Sequence, residues 1–218
     1  MIITSAKDRN ELLGLLAGYH VIFIVGCGSC ATVCQTGGEP EVEDFALFLR
    51  NNGKEVSGSV IPDETCHNLL VKKELNKHKE QMVQSSAIVV LSCGAGVQAV
   101  ASLYDDKPVF SMLDTLFLGN VQRFGKFSEN CSMCGQCILN KTAGICPLTR
   151  CAKGLLNGPC GGSSNEKCEV YPENDCVWVL IYKRLKKLQM LDNLMEIQEP
   201  KDHSLRKKPF QFEIKKDS

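Results

Sequence analysis

The chain has 218 residues, 44% of them hydrophobic and 23% charged, which is enough for one ordinary core plus a small second unit. Its 25 basic and 25 acidic residues cancel, with a pI near 6.9, and this excludes the basic footprint of a protein that neutralises nucleic-acid phosphates. The longest apolar runs, residues 21–25 and 87–91, fall far short of the roughly 20 residues of a membrane span, and Asp8, Arg9 and Glu11 interrupt the start as no signal peptide would.

Residues 6–19 read as a helix with Leu12, Leu13, Leu15 and Leu16 on an apolar face and Ser5 placed to cap it. The run HVIFIVG follows, β-branched and apolar throughout, as a strand buried on both faces. Residues 41–51 form a second helix stopped by Asn52-Gly53, and residues 54–61 a second strand. Residues 66–84 give a polar, lysine-rich helix with a break expected near Lys77-His78. Then SSAIVVLS returns as a third buried strand, residues 95–104 as a short helix, and residues 107–112 as a fourth strand after the turn-forming Asp105-Asp106 pair. This alternation predicts an α/β fold with an N-terminal doubly wound, mostly parallel, flavodoxin-like sheet in strand order 2-1-3-4.

From about Phe124 glycine, serine, asparagine and cysteine replace the apolar runs, so a second, small cysteine-rich domain is expected over residues 124–194, after a sheet domain of residues 1–123. Such a segment cannot build much apolar core, and a bound metal would supply its folding free energy. Residues 177–194, with Trp178, Leu180, Ile181, Leu185, Leu188 and Leu191, form its closing C-terminal helix, expected to pack across the domain junction. Residues 195–218 are a charged tail, solvated by composition, unless Phe210, Phe212 and Ile214 dock on a partner.

Thirteen cysteines without a secretory signal point to a reducing compartment, the cytoplasm, with thiols kept as metal ligands. Cys27, Cys30 and Cys34 stand at x2 and x3 spacing directly after the first strand, short enough for one loop to wrap one metal centre. Cys93 ends the third strand, and Cys66 follows the second. In a doubly wound sheet these ends share one edge, where ligands of this fold class bind. Cys27, Cys30, Cys34 and Cys93 therefore form a four-thiolate candidate for a 4Fe-4S cluster, with Cys66 as competing fourth ligand or nearby spare. Gly26, Gly28, Gly37, Gly38, Gly94 and Gly96 flank these cysteines and could present amides to cluster sulfurs. GCGSCA lacks the third glycine of a dinucleotide fingerprint. Zinc is the competing metal, although it usually takes two Cys-x2–4-Cys pairs.

Eight further cysteines run Cys131-x2-Cys134-x2-Cys137-x8-Cys146-Pro147, then x4-Cys151, x8-Cys160, x7-Cys168 and x7-Cys176. The opening matches the bacterial ferredoxin pattern for three positions and departs where Cys-Pro arrives after eight residues in place of three. Eight thiolates can hold two clusters, a cluster and a zinc, or one centre plus packing cysteines, and spacing alone does not pair them. His67, beside Cys66, reads as a helix-start residue. No convincing catalytic acid–base set is present.

The run CSMCGQCILNKTAGICPLTRCAKGLLNGPCGGSSNEKCEV, with CVWVLIYKRLKKLQML after it, resembles the cysteine-rich C-terminal domain associated with methylenetetrahydrofolate reductases, most specifically at KGLLNGPCGG. Over residues 1–194 the chain looks like the MetV-type iron–sulfur subunits that accompany the catalytic barrel subunit of this reductase in acetogenic bacteria. The resemblance implies a heteromer in one-carbon metabolism and acetogenesis. It also implies a partner barrel that carries FMN and the folate site, to which this chain would relay electrons from ferredoxin or another donor. The alternative is a zinc-stabilised structural or regulatory subunit of the same complex; a sheet domain binding its own flavin is a third possibility.

Overall fold

The structure is a computed structural model that describes residues 1–206 and 208–214; the last part of the charged tail, residues 215–218, lies outside the described residues. The chain divides into two compact units, Met1–Ser128 and Glu129–Ser218. Among the described residues no helix is long and apolar enough to cross a membrane.

The first unit is built on a four-stranded parallel sheet. Its strands are β2 (Val21–Val25), β3 (Glu55–Val60), β4 (Ala87–Val90) and β5 (Val109–Ser111), in the order β3-β2-β4-β5. This is the expected 2-1-3-4 order and the doubly wound α/β class. The continuous apolar runs explain it, because β2 and β4 present opposite faces to two separate cores. On one face Ile22, Ile24, Ala87 and Val89 pack with Leu12, Leu16, Phe45 and Leu49. Those four come from helix α1 (Arg9–Leu15) with its following turn, and from α3 (Glu39–Asn51). On the other face Phe23, Val25, Ile88 and Val90 meet Val71, Leu75, Met82 and Val100. They belong to α4 (Asn68–Lys77), α5 (Lys79–Gln84) and α6 (Gly94–Ala101). The break expected in the lysine-rich helix falls at His78, which separates α4 from α5.

A second, three-stranded antiparallel sheet was not evident from the sequence. It consists of β1 (Ile2–Ala6), β6 (Leu113–Arg123) and β7 (Lys126–Cys131), in the order β1-β6-β7, with β7 running over the boundary between the two units. Ser5 is therefore a strand residue opposite Asp114. The cap of α1 is Asp8 instead, whose carboxylate accepts the Asn10 amide at 2.7 Å and the Glu11 amide at 3.4 Å. A short helix, α2 (Cys30–Val33), follows β2.

The second unit holds only two α-helices among the described residues, α7 (Pro147–Arg150) and α8 (Val177–Lys187). Its core is small: Ile145, Cys176, Val177, Trp178, Ile181 and Leu185. The apolar face of α8 is thus covered within its own unit. The closing helix ends at Lys187, earlier than expected, because Gln189 takes a left-handed φ of 58° and the Met190 amide donates back to Leu185. A 3-10 turn, Leu191–Leu194, then continues the chain.

Candidate metal centres

Three cysteines sit where the parallel strands end. Cys27 lies two residues beyond β2 and is 7% exposed. Its amide donates to the Gly37 carbonyl at 2.8 Å, and its own carbonyl accepts the Thr32 hydroxyl at 2.7 Å. The exit from β3 is tied to the same place. The Gly28 amide donates to Pro62, and the buried Thr65 hydroxyl donates to the Gly26 carbonyl at 2.6 Å. That bond holds Cys66, the next residue, at the edge of β2. Cys93 stands at the N-cap of α6, after β4, with no side-chain cap of its own.

Cys66 feels the other two thiols. Burial pushes the Cys66 thiol up, Cys93 and then Cys27 push it further, Glu64 adds slightly, and only a backbone hydrogen bond pulls it down. As thiolates, Cys66 and its two neighbours would repel, so the metal-free site favours the protonated Cys66 thiol. A shared cation turns that repulsion into ligation, which is the donor chemistry a thiolate-bound metal requires.

Cys30 and Cys34 bracket α2 and turn to the backbone of β1. The Ile2 amide donates to the Cys30 sulfur at 3.4 Å, and the Cys34 thiol lies 3.8 Å from the Ile2 carbonyl. Of the expected quartet, Cys27 and Cys93 are in electrostatic contact with Cys66, expected as competing fourth ligand or nearby spare, and Cys30 and Cys34 meet the Ile2 backbone. Thr65 and the Ile2 backbone carried no sequence signal that marked them.

The flanking glycines have a steric role. A Cβ on Gly37 would sit 2.0 Å from the Leu91 carbonyl oxygen, and one on Gly26 would sit 2.6 Å from the Gly37 oxygen. Their amides are engaged elsewhere: Gly26 donates to Val60, Gly38 to the Glu41 carboxylate and Gly94 to the Thr115 hydroxyl. His67 is a helix-start residue, its ring nitrogen accepting the Leu70 amide at 3.4 Å.

In the second unit Cys131 accepts the Met133 amide at 3.4 Å, and the Cys134 thiol donates to the Gln136 carbonyl at 3.4 Å. Met133 and Gly135 both have positive φ, at 54° and 80°, and so wind this segment into a tight loop ahead of the exposed Cys137. Cys146 and Cys151 flank α7, and the 8%-exposed Cys176 caps α8. The Cys160 thiol donates to a Glu169 oxygen at 3.3 Å. Glu169 also pairs with Lys153, and those two hydrogen bonds, Lys153 first, hold its carboxyl below the usual carboxylate range. The Cys168 amide donates to Asn174.

All thirteen cysteines are free thiols. Among the described residues, no three Cys, His, Asp or Glu side chains converge closely enough to hold a metal ion as they stand.

Residues 110–204 match the family model described as methylene-tetrahydrofolate reductase C terminal. The match takes in every cysteine from Cys131 to Cys176, and residues 1–109 lie outside it. No curated protein and no solved structure matches the chain.

Proposed function

We propose that this chain, related through residues 110–204 to the methylene-tetrahydrofolate reductase C-terminal family, is the electron-transfer iron–sulfur subunit of a reductase complex of that type. The observation that carries the reading is that Cys27, Cys66 and Cys93 follow the carboxyl ends of neighbouring parallel strands, near enough that Cys93 and Cys27 raise the Cys66 thiol. Cys27, Cys66 and Cys93 would supply three thiolates, and Cys30 or Cys34, in the turn that Cys27 opens, the fourth. A 4Fe-4S cluster supplies one-electron transfer at a potential set by its surroundings.

The chain's own residues supply the scaffold. Thr65 and Gly37 lock the two loops that present Cys66 and Cys27, and the rigid β2–β4 pair fixes the spacing of Cys27 and Cys93. Burial of Cys27 keeps water from that side of the site. The acceptor is the FMN of a catalytic barrel subunit, which needs two electrons and two protons to turn methylenetetrahydrofolate into methyltetrahydrofolate. The donor is ferredoxin or another low-potential carrier, and the complex acts in the cytoplasm.

The test is reconstitution. With the barrel subunit's flavin oxidised and a reduced low-potential donor present, flavin reduction is expected to need this chain. Equal rates with and without it would refute the role.

A further inference from the structure

We infer that Cys151, Cys160, Cys168 and Cys176 share one mononuclear site in the second unit that takes a single zinc ion, separate from any cluster. The four line one cavity of about 20 Å³. Four thiols around one small space are a complete tetrahedral donor set, the closed shell of a structural zinc ion. The thiols line this space without meeting at ligand distance, so the ion would draw them inward.

A second observation points the same way. Residues 152–175 contain not one buried residue, yet they hold a definite course through the bridges Ser164–Lys167 and Lys167–Asp175. A segment with no apolar core of its own needs another source of folding free energy, and three loops tied to one tetrahedral ion provide it. The four positions divide the segment almost evenly, with eight, seven and seven residues between successive cysteines.

Four thiols binding one zinc ion release four protons and leave a net charge of minus two, which Arg150, lining the same cavity, offsets in part, while Lys153 there is paired with Glu169. Cys176 adds its sulfur at the N-cap of α8, where the helix start favours a thiolate. Glu169 loses the Cys160 proton it accepts and keeps Lys153. Cys131, Cys134, Cys137 and Cys146 do not line the cavity and remain free for another centre.

The assignment stands on these thiols alone and does not depend on the electron-transfer reading. The test uses the full chain, purified without oxygen and with zinc supplied during expression. One zinc per chain is expected, with X-ray absorption showing four sulfur neighbours at about 2.3 Å. Stripping zinc with a chelator that leaves iron in place should make Cys151, Cys160, Cys168 and Cys176 alkylatable together, mapped by mass spectrometry, with visible absorption unchanged. Cys168→Ser should lose the zinc and keep the iron. A zinc-free chain, nitrogen or oxygen in the zinc shell, or protection of these four that ends only when iron is lost would overturn the assignment. Zinc present in a colourless, iron-free chain would sink the electron-transfer reading and leave this one standing.

Discussion

Thr65→Val tests the link between the sheet edge and the loop that carries Cys66. Thr65 is fully buried, and its hydroxyl reaches the Gly26 carbonyl at 2.6 Å, between the end of β2 and the chain leaving β3. Valine has nearly the same volume, so the main loss is the donor, and the buried carbonyl is left without it at a cost of about 1–3 kcal/mol. That raises local opening of this edge by roughly one to two powers of ten. Amide exchange followed by mass spectrometry should therefore quicken in peptides covering β2 and residues 61–67. Alkylation of Cys66 should quicken with it, and Thr65→Ser should restore both. Unchanged exchange in Thr65→Val would refute the claim that this hydroxyl fastens the loop to the sheet.

The other predictions concern neighbouring parts of the chain. Gly37→Ala places a Cβ 2.0 Å from a backbone oxygen that cannot swing away, so the first unit should lose about 1–3 kcal/mol or more in denaturant melts; Gly53→Ala, in open space at a φ of 75°, should cost only about 1 kcal/mol. Cys93→Ser should remove one cluster's worth of iron while Trp178 fluorescence, which reports the second unit, stays native; loss of all iron at once would contradict a division into separate centres. Trp178→Phe removes the 3.1 Å bond from its indole nitrogen to the Leu155 carbonyl and should cost about 1–3 kcal/mol, read as a lower denaturation midpoint for the second unit.

The parallel sheet was legible because its strands are buried on both faces, and VIFIV and AIVV say so without help from the rest of the chain. The antiparallel sheet was not. In β6 only Leu113 and Gly119 are buried, so its pattern carries little alternation, and the last two residues of β1, Ser5 and Ala6, read as the cap and start of the helix that follows. One available signal was the Phe124-Gly125 turn between β6 and β7, with Gly125 at a φ of 71°. Spacing likewise put Cys27, Cys66 and Cys93 after the parallel strands but could not say which way each sulfur turns. Cys30 and Cys34 look like natural companions of Cys27, yet α2 turns their sulfurs to Ile2, whereas Cys66 arrives from a distant loop because Thr65 fastens it there. Hydrogen bonds between segments far apart in the chain decided both outcomes, and no local pattern encodes them.

The central claim is most directly tested by iron and acid-labile sulfide analysis of chain kept free of oxygen throughout, together with its spectrum before and after dithionite. The account predicts at least one 4Fe-4S cluster per chain and a broad visible band that fades on reduction and returns on reoxidation. Protein that carries no iron or sulfide after such handling, and whose spectrum ends with the aromatic absorption, would contradict it.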